Sequence, residues 1–314
     1  MLSRVAENLY WLARYMERAE NTARLILVNA NLLLDLPRGV SPGWAPLVRI
    51  VDGIEAYRES GRKFTERGVT GFLVGDVSNP GSIVSCLSSA REDARTVRDS
   101  IPREVWEHVN DLHLYALAHL KGGVLKSERH RHLQTVIQGA QTFTGMLEGT
   151  MNTGLGHAFL CTGRYLERAD MTSRIVNVRS EPLLQDEGIE GLRPFENIQW
   201  MSVLKSLTAY QMYRLRMRMR VNQAAVLQFL VLDEEFPRAL LYCVNAAEAQ
   251  ISRLPEPDDT LRVIARVKRQ LRESRLQRVT VDSLGGYIDA LQAGLAEVHD
   301  ALVAAYFDPD ITTD

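Results

Sequence analysis

An eleven-residue segment of this chain occurs twice, with seven of its positions identical. Arg14-Tyr15-Met16-Glu17-Arg18-Ala19-Glu20-Asn21-Thr22-Ala23-Arg24 returns as Arg164-Tyr165-Leu166-Glu167-Arg168-Ala169-Asp170-Met171-Thr172-Ser173-Arg174. The Arg, Tyr, Glu, Arg, Ala, Thr and final Arg are identical, and Glu20 becomes Asp170, which keeps the charge. A core needs only apolar residues of about the right volume. These copies agree mainly at charged and polar positions, so they point to an ion-paired or ligand-facing surface required in both halves.

The repetition continues downstream. Phe72-Leu73-Val74-Gly75-Asp76 matches Phe229-Leu230-Val231-Leu232-Asp233, followed by Pro80 with Pro237, Cys86 with Cys243 and Ala90 with Ala247. A weaker echo links Ile54-Glu55-Ala56-Tyr57 with Tyr210-Gln211-Met212-Tyr213. The period is far longer than that of a solenoid repeat. We therefore expect one domain, 1–314, built of two related halves, 1–150 and 151–314, packed about a pseudo-twofold axis.

Helical periodicity dominates. Val5, Leu9, Leu12, Met16, Ala19, Ala23 and Ile26 share one face of a helix over Leu2–Leu36, which Pro37 and Gly39 end. Further helices are expected over Ala45–Arg58, from Asn79-Pro80 with proline in the first turn, and after Pro102. The next are Arg131–Thr150 and Gly156–Arg179, then Ile198–Met212, Asn222–Leu232, Pro237–Leu254, Asp258–Arg278 and Asp282–Tyr306. Gly122-Gly123 reads as a break and Glu181–Pro194 as a long loop. Tyr213–Val221 alternates with period two, a strand signal. With no partner strand in sight, it reads as a helix end or an extended connector. The fold class expected is all-α, an internally duplicated helical bundle.

On the first helix Arg4, Glu7, Trp11, Arg14 and Arg18 recur at spacings of three and four and form one stripe. The apolar stripe lies roughly opposite, and Tyr10, Glu17, Asn21 and Arg24 form a flank. One account is a solvated face laced with weak pairs such as Glu20 with Arg24. The other is a buried network or an anion-facing site. The pattern occurs twice, aromatics interleave it, and arginine persists where lysine would serve a solvated face. Candidate ligand- or partner-binding residues are therefore Arg14, Glu17, Arg18, Asn21, Arg24, Arg164, Glu167, Arg168, Asp170 and Arg174. Glu7, Trp11, Tyr15, Asp76 and Asp233 carry less weight. Glu17 with Glu167, or Asp76 with Asp233, could form a carboxylate pair for acid–base chemistry if the pseudo-symmetry brings them together.

Other chemistries find little support. No Glu lies three residues before a His, there is no CxxC or HExxH, and His130 and His132 would diverge on a helix. No metal and no cofactor are expected. Arg262–Arg278 carries seven basic residues against Glu273, which fits a solvated helix face better than a docking surface. Arg214, Arg216, Arg218 and Arg220 could grip phosphates or lie on the surface. The net charge of -2 gives no field to draw the chain onto nucleic acid or anionic lipid. No apolar run is long enough to span a bilayer. The N-terminus lacks a basic-then-apolar leader, and three cysteines argue against a disulfide framework. A cytoplasmic location is the expectation, and oligomerisation is left open.

Met1-Leu2-Ser3-Arg4-Val5-Ala6-Glu7-Asn8-Leu9-Tyr10-Trp11, followed by Tyr15-Met16-Glu17-Arg18-Ala19-Glu20-Asn21, closely resembles the bacterial alpha-E family, all-helical domains named for a Glu-Arg motif. The resemblance runs on through Asn79-Pro80, Ala90–Arg95 and Asp233–Pro237. It implies a partner role beside circularly permuted ATP-grasp ligases, in a peptide- or amide-forming system that includes transglutaminase-like proteases. It supplies no catalytic residues. Only Glu17-Arg18 carries over, with Glu167-Arg168 as its internal copy. Three hypotheses follow: an accessory or substrate-binding partner of such a ligase, a stand-alone enzyme using Glu17 or Glu167 as general base with a pKa raised by burial, or a purely structural protein.

Overall fold

The computed structural model describes residues 2–36, 43–120, 126–180, 193–274, 276 and 281–308. Among them the chain is helical throughout, without strands. Seven helices come first: α1 (Ser3–Asp35), α2 (Ala45–Ile50), α3 (Ile54–Glu59), α4 (Glu66–Gly75), α5 (Ile83–Thr96), α6 (Arg103–Ala118) and α7 (Lys126–Thr150). Seven more follow: α8 (Leu155–Ser180), α9 (Arg193–Ser206), α10 (Tyr210–Met217), α11 (Gln223–Leu232), α12 (Leu240–Ile251), α13 (Asp258–Arg272) and α14 (Val281–Leu302), the last running into a π-helical turn, Val303–Phe307.

The packing partners of the two sets correspond. α1 lies against α5 and α7, and α8 lies against α12 and α14. α6 bridges α5 and α7, as α13 bridges α12 and α14. α2 reaches across to α8, and α9 reaches across to α1. The most extensive contact is α1 on α8, the two helices that carry the repeated eleven residues. Leu9, Leu12, Met16, Ala19, Ala23 and Ile26 are buried, and Val5 at the start of that stripe is half-buried.

Smaller matches obey the same correspondence. Tyr57 and Tyr213 are both fully buried, and each phenol donates to a backbone carbonyl, Lys63 at 2.6 Å and Arg220 at 3.1 Å. Each ring meets its matched phenylalanine edge-on, Phe72 at 5.0 Å and Phe229 at 5.7 Å. Thr65 caps α4 by accepting from Gly68 N, and Asn222 caps α11 by accepting from Ala225 N. The α1–α8 crossing needs small residues, since a Cβ at Gly163 would clash with the Tyr10 carbonyl oxygen. The matched position on α1 is Ala13, also buried.

Several expected boundaries are corrected. Ala45–Arg58 is two helices, broken where Asp52 takes a left-handed φ of 57°. Thr208, at φ 52°, breaks the stretch expected to run from Ile198 to Met212 in the same way. Such a conformation cannot propagate a right-handed helix. Pro80 and Pro237 stand three residues ahead of α5 and α12 rather than in their first turns, and Ser82 caps α5. Pro194, assigned to a loop, lies in the first turn of α9. The period-two segment is a helix end and connector: α10 closes with Arg218 in the left-handed region, and irregular backbone leads to the Asn222 cap. The Gly122-Gly123 break and most of the Glu181–Pro194 loop lie outside the described residues.

Candidate functional site

The repeated Glu-Arg steps face each other across the α1–α8 contact and pair reciprocally. Arg18 binds Glu167 through both carboxylate oxygens, Nε to Oε1 at 2.6 Å and Nη2 to Oε2 at 2.8 Å. Arg168 binds Glu17 in the same bidentate way, at 2.9 and 2.7 Å. Helical spacing explains the crossing. A Glu and its neighbouring Arg point about a quarter-turn apart, so two helices crossing here can exchange arginines instead of pairing each internally.

Each carboxylate takes a second guanidinium, from a different source. Glu167 receives Arg14 Nε at 2.8 Å, and Arg14 also donates to the Tyr10 hydroxyl at 3.0 Å. Glu17 receives Arg238 Nη1 at 2.9 Å, from the turn between Pro237 and α12. Arg238 also donates to Asn21 Oδ1 at 2.7 Å and Glu20 Oε1 at 2.9 Å, and Asn21 Nδ2 donates back to Glu17 at 3.3 Å. The Thr172 hydroxyl donates to the Arg238 carbonyl at 3.0 Å and fixes that turn.

Glu17 and Glu167 are 4 % and 1 % exposed. Burial alone would raise their pKa values. For Glu17 the charges of Arg168 and Arg238 outweigh it, and for Glu167 those of Arg18 and Arg14 do, so each falls to about 2. This corrects the expectation of a buried carboxylate with a raised pKa. Each is firmly ionised and saturated with donors, which suits neither general acid nor general base. Both arginines are raised: Arg18 chiefly by Glu167, and Arg168 by Glu17 against the opposing effect of burial. Beside the two pairs, the thiols of Cys86 and Cys243 point at the carbonyls of Pro80 and Pro237, at 3.7 and 3.4 Å. Burial pushes both thiols up to about 12, so neither is a nucleophile at neutral pH.

The remaining candidates divide. Arg24 with Glu20 and Arg174 with Asp170 are matched pairs one helical turn apart, at 2.6 and 2.8 Å, and they extend the network along each helix. Asp170 is raised by burial, which Arg174 opposes. Trp11 stacks on Tyr15 at 5.4 Å, and the Arg14 guanidinium lies 4.8 Å from the Trp11 ring. Glu7 is half-buried beside Asp93, whose pKa rises to about 7 through burial and then the charge of Glu7. Asp76 and Asp233 serve their own turns. Asp76 accepts from Ser78 N and pairs with Arg62, and Asp233 accepts from Glu235 N and Phe236 N and pairs with Arg216. Arg164 breaks the pattern. Its match Arg14 hydrogen-bonds Glu167, but Arg164 acts on Glu17 through its charge and gives its hydrogen bond to Glu148 of α7, at 2.7 Å. Arg238 is the main contributor the repeat did not reveal, because its matched position is Gly81, which has no side chain.

Open grooves lie beside this network, and one of them includes Pro237, whose carbonyl accepts from Arg168 Nη1 at 3.4 Å. One, of about 640 Å³, is lined by Asn197, Tyr210, Arg214, Arg218 and Arg220, and another by Met212, Leu215, Phe229 and Phe236. The basic face of α13 is solvated: Arg262, Arg266 and Arg272 are exposed and pair with Asp259, Glu297 and Glu234.

A family described as a predicted alpha-helical domain with a conserved ER motif matches residues 1–307. The chain belongs to the Alpha-E family. An uncharacterized protein of Mycobacterium bovis is 25 % identical over 341 residues, covering 96 % of this Alpha-E chain and 36 % of its own length. Uncharacterized proteins of two Mycobacterium tuberculosis strains, CDC 1551 and H37Rv, are 25 % and 24 % identical over the same coverage. The Alpha-E chain thus spans about a third of the length of the curated relatives it matches. No solved structure matches it significantly. No described helix is long and apolar enough to cross a membrane.

Proposed function

We propose that this chain is a non-catalytic helical partner of an ATP-grasp-type ligase that forms peptide or amide bonds, and that its ER network is the clamp holding the partner's scaffold in register. The observation that carries the second half of this reading is the saturation of Glu17 and Glu167, each by two guanidiniums. An arginine stripe engaged in this way has little left for a substrate carboxylate, and the carboxylates have no proton to exchange near neutral pH. Ligand and partner recognition therefore falls to surfaces outside the network. We also infer that the two halves arose by duplication, which the corresponding packing and the reciprocal pairs support.

The ligase partnership rests on the family resemblance. The mycobacterial relatives, of which this chain covers about a third, have room for a fused partner in the rest of their length. ATP-dependent ligation fits a cytoplasmic location, with a transglutaminase-like protease as a further member of the system. Co-expression with the circularly permuted ATP-grasp protein of the same genome tests the proposal. We expect co-elution in near-equal amounts and ADP release that needs both chains. Separate elution with full ligase activity in the absence of this chain would refute it, as would turnover by this chain alone.

A further inference from the structure

Arg164 is the one member of the repeated motif that leaves the crossed network, and it leads to a second cluster. On α8, His157 and Cys161 lie one turn apart, so both project from the same face. Glu148, near the end of α7, meets them across the hairpin. Their ligand atoms all fall within 4.8 Å of one another. Cys161 Sγ is 3.6 Å from both ring nitrogens of His157, and Nε2 is 3.7 Å from Glu148 Oε2. The matched residues of the first half, Glu7 and Trp11, could not repeat this donor set, so the cluster belongs to one half only.

We propose that Glu148, His157 and Cys161 form a binding site for a borderline-soft divalent cation of the zinc class. Thiolate, imidazole and carboxylate are the zinc donor set. Around a tetrahedral ion with metal–nitrogen and metal–sulfur bonds of roughly 2.0 and 2.3 Å, neighbouring N and S atoms stand about 3.5 Å apart and neighbouring N and O atoms slightly closer. The Sγ–Nε2 and Nε2–Oε2 separations are within about half an ångström of these edges, and all three ligand atoms lie within 4.8 Å of one another. A plain ion pair between Glu148 and Arg164 accounts for one oxygen of Glu148. It leaves Oε2 and the imidazole at 3.7 Å, beyond hydrogen-bond range. His157 and Cys161 are buried, whereas the Glu148 side chain is 51 % exposed, which opens a path from solvent. The Arg164 guanidinium, 3.5 Å from Sγ, opposes the incoming charge. It also holds Glu148 Oε1 at 2.7 Å, which orients Oε2 toward the site as an outer partner of a metal-bound carboxylate would. Three protein donors leave a fourth position for water or a substrate group.

The test uses the full chain, stripped with a chelator and titrated with Zn2+ by calorimetry and with Co2+ by visible absorption. We expect one ion per chain and a thiolate-to-cobalt charge-transfer band with the intense d–d absorption of a four-coordinate site. Cys161→Ser and His157→Gln should abolish the band, Glu148→Gln should weaken binding by more than about tenfold, and the exposed His130→Ala should change nothing. The wild-type cobalt spectrum decides the matter even if a variant fails to fold. Absence of stoichiometric binding, a cobalt spectrum without the sulfur band, or unchanged binding in folded Cys161→Ser would overturn the site.

Discussion

Glu17 and Glu167 occupy matched positions and have the same surroundings in kind, two guanidiniums each and almost no solvent, yet they are served differently. Glu167 draws both arginines, Arg14 and Arg18, from α1. Glu17 draws one from α8 and the other from the turn before α12. What the repeat keeps is an electrostatic requirement, because one bidentate arginine per buried carboxylate leaves oxygen lone pairs to be satisfied. The supplier is free to change. Arg238 stands at Glu17 where Arg14 stands at Glu167, and Arg164 binds Glu148 instead.

The comparison breaks most sharply if either carboxylate is removed. Loss of one partner from a buried pair costs about 3–5 kcal/mol. Glu167→Ala should lie at the upper end, since Arg14 and Arg18 lose the only carboxylate they hydrogen-bond among the described residues. Glu17→Ala should cost less, because Arg238 keeps Glu20 and Asn21. Urea denaturation of the two variants gives the order, and the reverse order would contradict the reading of Arg238 as an independent anchor.

Acid should next act on both half-sites together. Both carboxylates titrate lower when folded than the ordinary 4.5, at about 2. Their contribution is therefore complete above about pH 4.5 and is lost as pH falls through about 2. A shift of this size corresponds to about 3 kcal/mol per carboxylate. Stability should decline steeply between pH 4.5 and 2, and Glu17→Gln should flatten the decline by about half. An unchanged slope in that variant would mean that other carboxylates dominate.

Much of this arrangement was legible in the sequence, because matched charged residues on two amphipathic helices leave few ways to bury them. The limits of α1, its apolar stripe and the importance of Glu17, Arg18, Glu167 and Arg168 follow from periodicity and repetition. Arg238 was hidden, since it stands opposite Gly81 and reaches the network from a turn. The breaks at Asp52 and Thr208 were hidden because neither residue type announces a left-handed backbone. The Glu148 cluster was hidden because Glu148 lies on a different helix from His157 and Cys161. Only the α7–α8 hairpin brings them together.

The crossing point itself offers a smaller test. Gly163→Ala gains about 1 kcal/mol of helix propensity, but its Cβ meets the Tyr10 backbone, which cannot swing aside as a flexible side chain could. Overpacking of this kind costs about 1–3 kcal/mol. We expect a net loss of up to about 2 kcal/mol in chemical denaturation. A stabilised variant would show that α1 and α8 can separate slightly without loosening the crossed pairs.

The smallest effect discriminates best between the two copies, because it compares residues that the repeat makes equivalent. Arg14 donates to a carboxylate that is 1 % exposed and to the buried Tyr10 hydroxyl. Removing it should cost about 2 kcal/mol, the usual contribution of a hydrogen bond to a charged group, with Arg18 still holding Glu167. Arg164 binds Glu148, whose side chain is 51 % exposed, and a pair screened by solvent to that extent is worth at most about 1 kcal/mol. Arg164→Ala should therefore be milder than Arg14→Ala by about 1 kcal/mol in urea midpoints. Equal losses would mean that the charge of Arg164, which helps to keep Glu17 ionised, contributes as much as a direct hydrogen bond, and the division of labour between Arg164 and Arg238 would have to be abandoned.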